Sequence, residues 1–435
     1  MRKTATILVV IFWVIFHLGI CSASQTGPGQ SEKDPNVALA PLTGAARPVL
    51  SPVERWAPAV KPKPLSENVT RGIRWLIEHQ HPQGGWSQGE ESPTMGNSLD
   101  HLKDKPNVAD TCAAALALIR SGSAPNSGPY VQNILSAVKF VCSEVRESDA
   151  NSLFITKLRD SRLQMKLGTY IDTFMASILF AEVTGKMPDA QSEKMVEDAF
   201  NKVMDKIESN QHPDGTFGET GWASTLSQSM ASKGINRAAQ SGKKVSEQVR
   251  SRLEANARGK YNRSSGKFSP EGSASVELYA GAATLGAIQD SENTNAAMRK
   301  EVQQKLATAK TPAEQAEAKQ LLNRFEENTG DLQSARKAII SRLDDKQFIA
   351  GFGSNGGEEF LSYMNIGESL VVKGGEDWTK WDKEITANLN HIQNKDGSWT
   401  GHHCITGRTF CTSAALLVLM TDRAPVPVAA KIQRR

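Results

Sequence analysis

Gln80-His81-Pro82-Gln83-Gly84-Gly85-Trp86 is the stretch that decides the fold, because the chain repeats its plan twice more. Gln211-His212-Pro213-Asp214-Gly215-Thr216-Phe217 and Gln393-Asn394-Lys395-Asp396-Gly397-Ser398-Trp399 keep Gln, Gly and an aromatic residue at the same spacing. Four residues before each Gln stands an apolar side chain at the end of a helical pattern: Leu76, Ile207 and Leu389. The spacing has a physical reading. Gly stops the helix and accepts a left-handed backbone. Gln bonds the backbone of the turn, and the aromatic ring folds back over the helix end.

Beyond each turn the sequence predicts a second, small-residue helix opened by a polar pair. Asp110-Thr111 leads into Cys112-Ala113-Ala114-Ala115, Asp172-Thr173 into Phe174-Met175-Ala176, and Cys411-Thr412 into Ser413-Ala414-Ala415; Ser224-Thr225 opens a shorter version. Asp and Thr are read here as helix N-caps. Alanine-rich faces let helices approach closely, which suits an inner ring. Two weaker pairs, around Ser275–Ile288 and Phe360–Val372, bring the count to about six. The expected class is all-α, an α/α toroid: a double ring of about six helix pairs over residues 66–423. Residues 290–345, rich in Ala, Glu, Lys and Gln, are expected to form an inserted charged helical hairpin. Its first helix boundary is the capping box at Thr311–Glu314, and a break is expected at Thr329-Gly330.

The flanks read differently. Arg2 and Lys3 precede an apolar run from Ile7 to Ile20 and small residues to Ala23, the pattern of a signal peptide over residues 1–23. Acylation of Cys21 is the rival reading. Residues 24–65 are expected to be a flexible linker and 424–435 a C-terminal tail. The protein is thus expected to be exported, periplasmic or secreted. After signal removal no segment is apolar and long enough for a transmembrane helix. Without Arg2 and Lys3, 49 basic residues stand against 47 acidic ones, a balance of +2. That gives no electrostatic case for nucleic acid.

The glutamine-to-aromatic turn followed by an Ala/Leu-rich helix resembles the repeats of squalene cyclases and protein prenyltransferase β subunits, over most of residues 70–421 outside the hairpin. The resemblance implies the toroid more firmly than an activity, since relatives on this fold include cyclases, zinc prenyltransferases, thioester-containing binding domains and some polysaccharide lyases. The catalytic signatures are mostly missing. There is no Asp-x-Asp-Asp run; Asp344-Asp345 lacks the first Asp. Aromatic residues make up 6% of the chain, few for a carbocation-stabilising cavity. No Gly-Cys-Gly-Glu-Gln thioester run and no Asp-x-Cys zinc pair of the prenyltransferase kind occur. Asp110-Thr111-Cys112 matches the latter's spacing by letter, but Cys112 reads as a small buried residue.

If the inner helices run parallel, their N-termini gather at one mouth and bring Asp110, Asp172, Ser224, Glu358, Glu359 and Cys411 there, beside His402 and His403. Helix N-termini favour anions and carbonyl oxygens. The stretch from Gly401 to Cys411 carries the densest polar chemistry. Four cysteines follow the signal, and in an oxidising compartment Cys404 and Cys411 are expected to form a disulfide. The alternative is zinc held by His403, Cys404 and Cys411; otherwise no cofactor is expected. Function then has two readings. One is an exported toroid that binds a small molecule or a protein at the mouth. The other is an enzyme of the same fold with noncanonical residues, cyclase- or prenyltransferase-like, or lyase-like with Arg408 or Lys373 as the basic group.

Overall fold

The computed structural model describes residues 55–430, apart from 96–98, 219, 354 and 429. The expected signal peptide, most of the linker and the end of the tail lie outside the described residues. Among the described residues helix accounts for 64%, in fourteen α-helices with a few short strands, and the fold is an α/α toroid.

Six helices form the inner ring: α2 (Val108–Arg120), α5 (Ile171–Val183), α7 (Ser224–Gln240), the first half of α9 (Glu277–Thr308), α12 (Gly357–Lys373) and α14 (Arg408–Leu419). Each packs on the next in chain order, and α14 closes on α2. These helices are buried nearly all round, as a ring covered on both faces requires. Small side chains set the helix spacing: a Cβ at Gly234 of α7 would lie 1.9 Å from Ser177 Oγ of α5. Outside run α1 (Glu67–Glu78), α3 (Val131–Glu147), α6 (Ala190–Asn210), α8 (Glu247–Gly259), α10 (Pro312–Ile340) and α13 (Gly375–His391), against the inner helices or each other. Two five-residue helices, α4 (Arg162–Lys166) and α11 (Lys346–Ala350), sit in connections.

The repeated turns do what their sequence asks. Gly84, Gly215 and Gly397 have φ of 93°, 84° and 97°. A Cβ on each would press into a backbone carbonyl of an outer helix: Ser136 of α3 at 2.5 Å, Arg252 of α8 at 2.4 Å and Arg71 of α1 at 2.8 Å. Trp86 and Trp399 are fully buried, and their indole N–H groups donate to the carbonyls of Leu76 and Leu389, the apolar positions before each Gln. Their backbone N–H groups donate to Thr111 Oγ1 and Thr412 Oγ1. Gln80 and Gln393 donate to Gly84 and Gly397 as expected. The middle turn departs from this: Gln211 donates to the Val249 carbonyl, and Gln228 takes over the bond to Gly215.

Several boundaries are corrected. Asp110 and Asp172 are not caps but lie inside the first turns of α2 and α5; Asn107 caps α2. The hairpin does not begin at 290. Helix α9 runs unbroken from the ring into the arm, with residues up to Ala296 still buried. Nor does Thr329-Gly330 end a helix, because α10 continues to Ile340; Thr329 bonds Glu292 and the Phe325 carbonyl instead of capping. Two stretches expected to be free chain are paired. β1 (Trp56–Pro58) and β4 (Pro425–Pro427) form an antiparallel ribbon joining Trp56 to Pro427 and Pro58 to Pro425. β2 (Tyr261–Asn262) and β3 (Lys267–Phe268) make a small hairpin after α8.

Replacing Trp86 or Trp399 by Ala removes a buried indole together with its hydrogen bond to a helix-end carbonyl. Each is expected to cost about 3–5 kcal/mol, read as the shift of the urea unfolding midpoint. Midpoints within about 0.5 kcal/mol of the parent would contradict this account of the turns.

Candidate functional site

The inner helices run parallel, so their N-termini share one mouth. The Ala109 N–H at the start of α2 donates to Asp172 Oδ1 of α5 (3.0 Å), and the Ile405 N–H before α14 donates to Glu358 Oε2 of α12 (3.3 Å). The expected site residues divide there into distinct groups.

Asp172 is structural. Its second oxygen accepts from Gln164 (2.7 Å), so both oxygens are engaged in joining α5 to its neighbours. Asp110 accepts from Asn107 (2.7 Å) through one oxygen, while the other is buried without a partner. Burial pushes its carboxyl up to about 7, against the Asn107 bond and with Asp172 adding to the rise. Ser224 lies apart from the carboxylates, against the Gly272 turn.

Glu358 and Glu359 are both fully buried in the first turn of α12. Glu359 Oε1 accepts from the Tyr279 hydroxyl and from the Phe352 N–H (3.0 Å), and Oε2 lies 3.4 Å from His403 Nε2. Burial lowers the His403 pKa, with the Glu359 carboxylate opposing, which favours the neutral imidazole. Neither ring nitrogen has a hydrogen-bond partner among the described residues. Glu358 Oε1 is likewise unpartnered. Burial, then the neighbouring Glu359 charge, pushes the Glu358 carboxyl up to about 8. Gly351, Gly353 and Gly356 pack tightly over this group: a Cβ at Gly353 would fall 2.4 Å from the His403 ring. Only glycine fits that approach.

Around the Glu359–His403 pair lies an aromatic chain that sequence reasoning missed. His402, His403, Phe352, Trp222 and Tyr279 meet edge to face in succession, with centroids 5.9, 5.2, 5.1 and 6.0 Å apart. Lys166 Nζ lies 5.5 Å over the Trp222 ring. Among the described residues the large hydrophobic side chains left exposed are Met165, at 38%, and Phe352, at 58%, and both flank this patch. A signal existed in Gly351-Phe352-Gly353, an aromatic residue between two glycines with no helix to bury it.

The expected Cys404–Cys411 disulfide is corrected: all four described cysteines are free, and none stands at disulfide distance from another. Cys404 takes a left-handed backbone (φ 53°), while the Cys411 thiol, one turn into α14, donates to the Ile405 carbonyl (3.4 Å). Nor do His403, Cys404 and Cys411 gather as a zinc site; among the described residues no three His, Cys, Asp or Glu side chains are arranged to hold a metal.

The lumen of the ring is nearly filled. Ala113, Leu116, Met175, Met230, Leu361 and Met364 wall a cavity of about 30 Å³, room for a water or two. Beyond it, at the C-terminal ends of the inner helices, Arg120 bridges Glu182 (3.6 Å) and Glu368 (3.1 Å), and Lys233 bridges Glu368 (2.8 Å) and Asp290 (3.0 Å). Burial raises the Glu368 carboxyl, but Lys233 and Arg120 more than offset that and hold it below the usual carboxylate range. Arg237 donates to the Pro425 carbonyl and so ties the β1–β4 ribbon over this end. These charges were legible as ionisable residues inside otherwise apolar helices, yet the sequence reading passed over them.

A parallel inner ring inside an outer ring, with a polar mouth at the helix N-termini, defines an α/α toroid. Residues 60–229 match the family model of the prenyltransferase alpha-alpha toroid domain, so this part of the chain is similar to that family. No curated protein matches the chain.

Two outcomes are expected at this mouth. Asp110 and Glu358 hold their protons more tightly folded than unfolded, so stability present in acid is lost as pH rises from the ordinary carboxyl range to about 8. Glu358→Gln, neutral at every pH, should flatten part of that fall in melting temperature between about pH 5 and 8; parallel curves for parent and variant would refute it. Titration of the chain over residues 55–430 with a thiol reagent under denaturing, non-reducing conditions should return four thiols. Two would restore the disulfide.

Proposed function

We propose that the protein is an exported toroid that holds a ligand at the N-terminal mouth of its inner ring. The observation that carries the reading is the exposed apolar pair Met165 and Phe352 set beside Trp222, directly over the buried Glu359–His403 pair. Apolar side chains left in water beside convergent polar groups are the usual make-up of a binding site. The filled lumen supports a ligand seated on the mouth in preference to one swallowed by the ring. It speaks against a cyclase-like reading, which needs an aromatic chamber large enough for its substrate.

One observation favours a catalytic version. A fixed carboxylate facing one nitrogen of a neutral imidazole, with the other nitrogen unbonded, is the orienter-and-base arrangement of general acid–base catalysis. On this version His403 moves a proton for a ligand lying on Phe352, and Glu359, held by Tyr279, orients it.

The test is a thermal-shift and tryptophan-fluorescence screen of the mature chain against neutral sugars, acyl chains and ammonium compounds, repeated with Phe352→Ala. A mouth ligand should lose about tenfold or more in affinity, roughly 1.4 kcal/mol, in the variant. Hits that bind parent and variant equally would put binding elsewhere. His403→Ala separates the versions, since it should abolish turnover of a bound compound while leaving most of its affinity. Export is checked by N-terminal sequencing of the protein from cell fractions. A start at Ser24 in the exported fraction is expected, and a chain kept in the cytoplasm with Met1 or Arg2 first would overturn it.

A further inference from the structure

A second candidate site shares no residue with the mouth groups. The β2–β3 hairpin, the end of α10 and α11 enclose a groove of about 680 Å³, within the range of small-molecule sites. Its apolar wall contains Tyr261 and Phe268, with ring centroids 5.0 Å apart, and Phe348. The Tyr261 hydroxyl is fixed by Ser334 Oγ at 2.7 Å, so this wall is held in place.

The charge on the walls is one-sided. Arg263, Lys267, Lys337 and Arg342 line the groove, against the single carboxylate of Glu277. Arg263 is spent on Asp331, and Arg342 on Glu277 and Asp345. Lys267 and Lys337 are exposed and in no ion pair among the described residues. The rim bears a second mark. Ser275 lines the groove and follows Ala274, and these consecutive non-glycine residues both have positive φ, 51° and 61°. Such backbone is costly for residues with a Cβ and persists where the surrounding structure imposes it, commonly beside a site.

We propose that this groove binds an amphipathic anion, its carboxylate or similar head between Lys267 and Lys337 and its apolar body along Tyr261 and Phe268. Two exposed cations outside any ion pair among the described residues, lining the same groove as an aromatic wall, supply the two kinds of contact such a ligand needs, and their charge favours an anionic head over a cationic one. The inference stands apart from the mouth and its ligand, since no residue is shared between them.

Isothermal titration calorimetry with decanoate at low ionic strength tests it. One saturable site is expected, weakened at least about tenfold in the Lys267→Glu/Lys337→Glu double variant and unchanged in Phe352→Ala. Both lysines are exposed, so the double variant should fold; its circular dichroism and melting temperature are compared with the parent. No saturable heat at millimolar decanoate overturns the proposal, as does equal affinity in the lysine variant. Loss of binding in Phe352→Ala with the lysine variant unaffected also overturns it, by moving the ligand to the mouth.

Discussion

The contact on which the ring depends is small: a glycine Cα laid against a carbonyl of an outer helix. At Gly84, Gly215 and Gly397 the turn presses into α3, α8 and α1, with no room for a Cβ. Each contact fixes how far one helix pair is rotated from an outer-ring neighbour, and the last one closes the circle by seating the final repeat on the first helix. The buried indoles and the threonines that receive their backbone N–H groups hold the turn in that position. Inner-helix direction, and hence the existence of two unlike mouths, follows from this repeated geometry.

Those mouths settle their buried charge in opposite ways. At the C-terminal end Arg120 and Lys233 face Glu182, Glu368 and Asp290, so cost of burial is offset by direct pairing. At the N-terminal end the carboxyls of Asp110 and Glu358 have no cation in bonding contact and are pushed towards the neutral acid. Glu359 accepts two donors on one oxygen, and its other oxygen faces the imidazole of His403. One end of the toroid therefore has its charges paired, and the other keeps unpartnered carboxyl and imidazole atoms beside exposed hydrophobic side chains.

How much of this was legible follows the range of the interactions. The turns and the helix count could be read because they rest on residues within about ten positions of each other. Asp110, Asp172, Glu358, Glu359 and His403 were each marked as candidates, but only folding separates structural Asp172 from the Glu359–His403 pair. Tyr279, Trp222 and Phe352 were missed, because their meeting joins three distant segments and no local pattern announces it. The disulfide failed for a local reason that spacing alone does not carry: Cys411 lies inside a helix, and its thiol is turned to the Ile405 carbonyl just before that helix. The linker and tail misled because Pro-rich composition marks loss of helix, not loss of pairing, and a strand of three residues needs only a partner.

The β1–β4 ribbon and the packing of α14 between α1 and α2 have a consequence for how the molecule comes into being. Residues near the start of the described chain pair with some of the last ones, across more than three hundred and fifty positions. Contacts of such range come late and slow folding, because the loop must close before they give anything back. Until Pro427 has been made, the circle is an open arc with the flank of α2 uncovered where α14 belongs. A growing chain of this design passes through a long stage of exposed apolar surface, the state in which aggregation and capture by holding factors compete with folding.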